Sequence, residues 1–227
     1  MGERQARVWH ALTAAVAVLA LGIQLALTLS GHRATPDEEL ASLPVRVGRF
    51  FSYFTIQSNL LVAVVAARLA TEPRAEGPTF RILRAAAIAG ITVTGVVHFF
   101  LLRPLVDLDG IDYATDKLLH MAVPLLAVVG FALYGPRPRT DARTIGLALA
   151  WPVAWLVWTL TIGGLTGWYP YPFLDHREDD GVVGVVVTSV GITVFFLLVF
   201  GLIHLVDQRA RPAPRERDPY RDGSFGS

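Results

Sequence analysis

The sequence contains no cysteine, and only 17 % of its 227 residues are charged. The lack of cysteine excludes a disulfide scaffold and leaves the redox compartment undetermined. The 20 glycines follow no three-residue period, which excludes a collagen-like chain. A formal net charge of +1 argues against a nucleic-acid partner. Hydrophobic residues make up 53 % of the chain, more than a soluble domain of this size can bury, so we expect contact with lipid.

The hydrophobic residues are grouped in six runs of about 20, long enough to cross about 30 Å of hydrocarbon as helices. The sequence therefore predicts an all-α integral membrane protein, a bundle of six transmembrane helices. Residues 1–206 form this domain, and residues 207–227, rich in Pro, Arg and Gly, are expected to form a disordered cytoplasmic tail. The predicted spans are about 8–30, 50–69, 82–102, 118–134, 144–165 and 182–206.

The basic residues indicate how the bundle is oriented. Of the 20 Lys and Arg, 14 lie in the N-terminal segment, in the loops after the second and fourth spans, and in the tail. Because basic residues accumulate on the cytoplasmic side, we predict that both termini are cytoplasmic. The opposite, outer face then carries 11 of the 19 acidic residues. We expect a multi-pass protein of the plasma membrane.

Polar side chains within the second span form the first candidate site, because such groups are costly in lipid. The span begins RFFSYFTIQSNLL, in which Ser52, Thr55, Ser58 and Asn59 recur at helical spacing and are expected to share one face. Thr55 lies at the centre of that face. Hydroxyls in membrane helices also bond the carbonyl one turn back, so a purely structural role is the alternative.

The third and fourth spans add ionisable groups at the same depth, in the outer leaflet. Thr94 and His98 lie four residues apart near the end of the third span, and Asp116 and His120 lie four apart at the start of the fourth, so each pair shares a face. The alternatives are histidines that pack at the headgroup level and an Asp116 that is a solvated loop acid. Only His98, His120 and the outer acids are available as metal ligands, and we expect no metal and no cofactor.

The loop after the fifth span reads WYPYPFLD. Trp168, Tyr169 and Tyr171 are residue types found at the headgroup boundary, and two prolines stiffen the backbone between and after the tyrosines. We interpret this loop, together with Asp175, as a rigid lid that faces the substrate. An aromatic belt without a further role is the alternative.

Three of these segments, in this order and on the same side, resemble the androgen-induced membrane hydrolase family and its bacterial six-span relatives. The segment RFFSYFTIQ resembles the family's start of span two, whose Thr is the proposed nucleophile, and this implies that role for Thr55. The segment DKLLHMAVP resembles the start of span four, whose His is the proposed partner, which implies His120. The segment TGWYPYPFLDH is similar to the family's aromatic loop. Animal members hydrolyse fatty acid esters of hydroxy fatty acids, so the resemblance implies a lipid-ester hydrolase.

The implied chemistry assigns roles to the remaining candidates. Thr55 attacks an ester carbonyl while His120 takes its proton, and Asp116 either holds the imidazole or is solvated. Ser58, Asn59, His98 or a loop N–H is expected to stabilise the oxyanion. Membrane lipid and a lipid ester are the expected partners, and the sequence leaves the oligomeric state open. The alternative function is a non-catalytic six-helix protein, either a small transporter or a module that binds lipid or a partner.

The predicted orientation can be tested by single cysteines in this cysteine-free chain. We expect Glu178→Cys to react with a membrane-impermeant thiol reagent in intact cells, and Arg139→Cys to react only after permeabilisation, because the two positions lie on opposite faces. Labelling of position 139 but not 178 in intact cells would contradict the orientation.

Overall fold

The computed structural model describes residues 2–32, 40–135, 140–178 and 180–209. Within these ranges the chain is helical and has no strand, which confirms the all-α prediction. The last helix continues to Arg209, so the predicted tail does not begin at residue 207. The rest of the predicted tail, residues 210–227, lies outside the described part of the chain.

Six helices of the described chain are long and apolar enough to cross a membrane, as the sequence predicted. The fourth begins eight residues before its predicted start, so that it includes Asp112 and Asp116. The bounds are Glu3–Ser30, Phe54–Thr71, Pro78–Leu105, Gly110–Tyr134, Ala142–Thr166 and Gly181–Gln208, which we number as spans one to six. The α-helices are α1 (Glu3–Ser30), α2 (Leu43–Ser52), α3 (Phe54–Thr71), α4 (Pro78–Val97), α5 (Gly110–Lys117), α6 (Val123–Tyr134), α7 (Ala142–Thr166) and α8 (Gly181–Arg209).

Large apolar side chains cover the outside of the bundle. Leu165 of α7 is 77 % exposed and Val183 of α8 is 73 % exposed. A helix that is apolar all round and remains exposed in this way requires a lipid surrounding. The exposed surface is therefore consistent with six membrane-spanning helices.

Helices α3 and α4 form the centre, and α1, α6, α7 and α8 pack around them. Small residues allow this close packing, since Ala87 and Ala89 of α4 are completely buried. Gly90 leaves room for the ring of Trp151 from α7, which a Cβ atom at that position would meet at 2.7 Å. Consecutive spans are antiparallel, so the start of α3, the end of span three and the start of span four lie at one end of the bundle. We call this the site end.

The predicted second span is not one continuous helix. The chain leaves helical geometry at Tyr53, with φ −67° and ψ 127°, between α2 and α3. Ser52 therefore ends α2, where its hydroxyl donates to the Gly48 carbonyl, and the prediction that it shares the face of Thr55 is wrong. Trp155 of α7 donates its indole N–H to the Ser52 carbonyl at 2.9 Å, which satisfies a group freed by the break. As a result, Thr55 lies in the first turn of α3.

Spans three and four each contain a wider, π-helical turn at the site end, His98–Leu102 and Leu118–Ala122. Such turns are rare and occur frequently at functional sites. Pro124 has no N–H to donate to the carbonyl of His120, so the regular α-helical bond is missing there. That carbonyl lies against Gly95 of α4, 3.2 Å from where a Cβ atom would stand. The two spans are therefore in close contact where both histidines are placed.

Candidate active site

Thr55 and His120 meet at the site end. The Thr55 Oγ1 lies 3.2 Å from the His120 Nε2, across the gap between α3 and the π-helical turn of span four. Thr55 is 7 % exposed and the His120 side chain 16 % exposed, so the pair is shielded but not sealed. This distance is within the reach that a hydroxyl nucleophile and its general base require.

Asp116 connects His120 to the second histidine. Its Oδ1 lies 2.9 Å from the His120 Nδ1 and 2.9 Å from the His98 Nε2. An ionised carboxylate only accepts hydrogen bonds, so both nitrogens carry the hydrogen that they share with it. A neutral His120 then has its lone pair on Nε2, the atom that faces Thr55. Thr55, His120 and Asp116 therefore have the geometry of a nucleophile, a base and an orienting acid.

Lys117 supplies the positive charge beside this carboxylate. Its Nζ donates to the second oxygen of Asp116 at 2.7 Å, and it also lies over the ring of Tyr113 at 4.6 Å. The rings of His98 and His120 are 3.8 Å apart and almost perpendicular, which leaves no room between them. The Nδ1 of His98 is buried and has no hydrogen-bond partner among the described residues, in keeping with a neutral ring whose only N–H points to Asp116.

The predicted supporting residues Ser58 and Asn59 are both completely buried but do not face the Thr55 hydroxyl. Ser58 Oγ lies 2.8 Å from the Thr94 hydroxyl of α4 and within 3.1 Å of two carbonyls of its own helix. The Asn59 amide donates to the carbonyls of Thr55 and Leu119. These two residues therefore fix α3 against spans three and four, and their donors point away from the site where an oxyanion would form.

Within the described part of the chain, His98, Asp116 and His120 also form a group with the residue types of a metal site, with ligand atoms within 4.8 Å of one another. Ligands held at 2.0–2.1 Å around a tetrahedral ion lie about 3.3 Å apart. The two nitrogen-to-oxygen distances of 2.9 Å are hydrogen-bond distances instead, and the Lys117 ammonium occupies the second carboxylate oxygen. The described arrangement therefore fits a proton relay better than a metal centre.

Tyr171 reaches into the site from the loop between spans five and six. Its hydroxyl lies 3.3 Å from the Thr55 Oγ1 and accepts the Thr55 N–H at 3.2 Å. The ring is 7 % exposed and stacks on Phe173. Burial raises the pKa of Tyr171 to about 12, so the phenol stays protonated at neutral pH. The sequence interpretation placed Tyr171 in a lid, whereas the structure brings its hydroxyl into direct contact with Thr55.

The other predicted loop residues hold the loop in place. Trp168 packs edge-on against Tyr53, and the Tyr169 hydroxyl lies 3.1 Å from the His176 Nδ1. Asp175 accepts two hydrogen bonds from the Arg177 side chain. These bonds lower the pKa of Asp175 from 3.8 to about 2. The ion pair of Asp175 and Arg177 therefore stabilises the loop fully above pH 3.8, and this stabilisation is lost as the pH falls through 2.

An apolar cavity of about 80 Å³ begins at Thr55, within about 730 Å³ of empty space that includes the open solvent at its mouth. Phe54, Thr55 and Tyr171 form its site end, and Val153 and Leu156 of α7 with Ser189 and Thr193 of α8 line it toward the middle of the bundle. Val153 is 50 % exposed and Thr193 is also exposed, so the cavity opens between spans five and six on the lipid-facing side.

Sequence reasoning missed Lys117 and the position of the Tyr171 hydroxyl. Lys117 is the one lysine of the chain and immediately follows Asp116, so its rarity was an available signal. Nothing in the sequence indicates which loop aromatic turns inward, because that depends on contacts with Phe173 and Trp155. Comparisons of the chain with family models, curated proteins and solved structures gave no match.

The buried carboxylate gives a stability prediction. We expect Asp116→Ala to lower the free energy of unfolding by about 3–5 kcal/mol, because it leaves the buried His98, the partly buried His120 and the Lys117 ammonium without their acceptor. Asp112→Ala is the matched control, since Asp112 pairs with His32 at 2.7 Å but the two side chains are 21 % and 38 % exposed. It should cost at most about 1 kcal/mol. Denaturation of the purified protein in detergent measures both, and equal losses would contradict the assigned burial.

Proposed function

We propose that this protein is a membrane-embedded hydrolase of lipid acyl esters, with Thr55 as nucleophile and His120 as general base. The observation that carries the proposal is the continuous chain of contacts from Thr55 Oγ1 through the His120 ring to Asp116 Oδ1, at 3.2 and 2.9 Å. A threonine hydroxyl is a weak nucleophile unless an oriented base takes its proton. The resemblance of three sequence segments to the androgen-induced membrane hydrolase family supports the same assignment.

The reaction follows from these positions. Thr55 Oγ bonds to the ester carbonyl carbon while its proton moves to the His120 Nε2, and Asp116 stabilises the resulting imidazolium. His120 then gives that proton to the alkoxide oxygen, the ester C–O bond breaks, and the alcohol leaves. Water attacks the acyl-threonine with His120 as base, which releases the fatty acid and returns the proton to Thr55. The partial exposure of His120 supports access of this water.

The cavity supports a lipid as substrate. Its walls beyond Thr55 are mostly apolar, with the hydroxyl residues Ser189 and Thr193 among them, and its mouth lies between spans five and six, where an acyl chain can enter from the bilayer. The ester would then lie at Thr55, in the first turn of α3, near the level of the headgroups. A water-soluble ester gains much less from such a cavity, because it buries less apolar surface.

The proposal also covers the orientation of the helix bundle and the membrane in which it lies. The distribution of basic residues supports cytoplasmic termini, with the site end on the outer face of the plasma membrane. Water and released alcohol would then exchange with the outer solution.

The same cavity also favours the second candidate function, a non-catalytic module that binds lipid. A binding role requires the apolar cavity but not a hydroxyl whose hydrogen points to an oriented imidazole. The two functions therefore differ in one property, the reactivity of Thr55.

That reactivity can be measured directly. We expect a fluorophosphonate probe to label Thr55 of the purified protein, as mapped by mass spectrometry, and Thr55→Ala and His120→Ala each to lower ester turnover by about 10⁴–10⁶-fold. The double variant should be little worse than either single one, because the two residues act as a unit. Thr115→Ala is the control: its hydroxyl is equally buried but bonds the Ile111 carbonyl.

Three outcomes would contradict the proposal. Normal turnover by Thr55→Ala would assign the chemistry to another residue. A wild-type protein that retains lipid but neither reacts with the probe nor hydrolyses esters would favour the binding module. Loss of turnover on chelation, restored by Zn²⁺, would favour a metal centre at His98, Asp116 and His120.

The cavity also predicts selectivity for chain length. Leu156→Trp narrows the cavity beyond Thr55, so we expect it to reduce kcat/KM for long-chain esters by about 10–100-fold while short-chain esters keep theirs. Leu165→Trp is the control on the same helix, because Leu165 is 77 % exposed and does not line the cavity. A uniform loss over all chain lengths would indicate that the acyl chain does not occupy this cavity.

A further inference from the structure

Among the described loop residues, it is Tyr171 whose hydroxyl lies within hydrogen-bonding distance of both the side chain and the backbone N–H of Thr55. Because Thr55 lies in the first turn of α3, its N–H has no acceptor within the helix and is free to donate outward. The N-terminal end of α3, with its partial positive charge, therefore points at the place where these two residues meet.

The hydrogen atoms in this contact network have one consistent assignment. His120 donates through Nδ1 to Asp116, so its Nε2 must accept the hydrogen of the Thr55 hydroxyl. The Thr55 Oγ1 is then an acceptor toward Tyr171, and the Tyr171 hydroxyl donates to it at 3.3 Å. The Tyr171 oxygen in turn accepts the Thr55 N–H, which polarises the phenol and strengthens it as a donor.

We infer that the Tyr171 hydroxyl is the oxyanion donor of the proposed hydrolysis, a catalytic role that rests on the function proposed above. When Thr55 Oγ bonds to the carbonyl carbon, the former carbonyl oxygen becomes negative and stands beside Oγ on the same carbon. The Thr55 Oγ is losing a lone pair to the new bond at this point. A small rotation about the C–O bond of the Tyr171 phenol therefore moves its hydroxyl hydrogen from Thr55 Oγ to the negative oxygen. The donor is thus aimed where charge develops rather than at the ground state.

The three side chains that sequence reasoning offered for this role are engaged elsewhere. Ser58 and Asn59 bond Thr94 and backbone carbonyls, and the His98 Nε2 donates to Asp116. The phenol also has a suitable acidity, because burial keeps it protonated throughout the pH range in which a histidine base operates. Its titratable neighbours are Tyr53, whose ring lies 5.7 Å away, and His120 beyond Thr55.

Tyr171→Phe removes the hydroxyl and keeps the stacked ring. We expect kcat to fall by about 10²–10³-fold with KM changed by at most about threefold, because the lost bond forms only in the transition state. Binding of a trifluoromethyl ketone, which mimics the tetrahedral intermediate, should weaken by the same factor as kcat/KM. Tyr169→Phe is the matched control, since its hydroxyl bonds His176 in the same loop and lies outside the site.

A fluorinated tyrosine at position 171 tests the role without removing the hydroxyl, which also covers the case in which Tyr171→Phe fails to fold. Its phenol is more acidic, and a phenolate cannot donate, so the alkaline limb of the rate profile should move to lower pH. If Tyr171 only accepts the Thr55 N–H in a structural role, no shift of the alkaline limb is expected. Wild-type kcat in Tyr171→Phe, or an unmoved alkaline limb, overturns the role of Tyr171 while the hydrolase stands. An inert wild-type protein overturns the proposed function and this role with it.

Discussion

A carboxylate inside a membrane-spanning segment must be matched by donors, and the arrangement around Asp116 follows from that requirement. Its two oxygens receive hydrogen bonds from Lys117, His98 and His120, at 2.7–2.9 Å. One of these donors comes from span three, so the carboxylate joins two helices as well as satisfying its own charge. The same contacts set the tautomer of His120 and direct its lone pair toward Thr55. Because Asp116 needs these donors in lipid, its contacts fix the orientation of His120, the candidate catalytic base.

The interruption at Tyr53 gives the site its second property. A continuous helix would engage the Thr55 N–H in an intrahelical bond, whereas the break leaves it free for Tyr171. Tryptophans of α7 support this geometry, since Trp155 bonds the Ser52 carbonyl and Trp151 bonds Gln57. Polar groups are therefore concentrated in one turn at the site end, and the apolar cavity extends away from it. The amphiphilic substrate that we propose matches this division, because its ester would lie at Thr55 and its chain in the cavity.

Local spacing was enough to predict part of this site. Asp116 and His120 lie four residues apart on one helix, and alternating spans bring Thr55 to the same end, so their proximity follows from helix geometry and the count of six spans. The break at Tyr53 and the two π-helical turns were not predictable, because they depend on contacts between helices. The pairing of His98 with Asp116 was not predictable for the same reason, since it requires the close approach of spans three and four at Gly95. The inward turn of Tyr171 depends on how the loop packs.

The cluster of His98, Asp116 and His120 cannot be a metal centre and a proton relay at once. The two uses differ in which ring nitrogens of the two histidines carry a hydrogen. Binding a cation through the described ligand atoms would require His98 Nε2 and His120 Nδ1 to lose the hydrogens that they share with Asp116. The hydrogen of His120 would then have to lie on Nε2, and that nitrogen could no longer accept a proton from Thr55. The relay, in contrast, leaves every hydrogen from Asp116 to the Thr55 N–H with an acceptor. The contact between Thr55 and His120 therefore favours proton transfer as the use of this cluster, because in that assignment the His120 Nε2 is able to accept the hydrogen of the Thr55 hydroxyl.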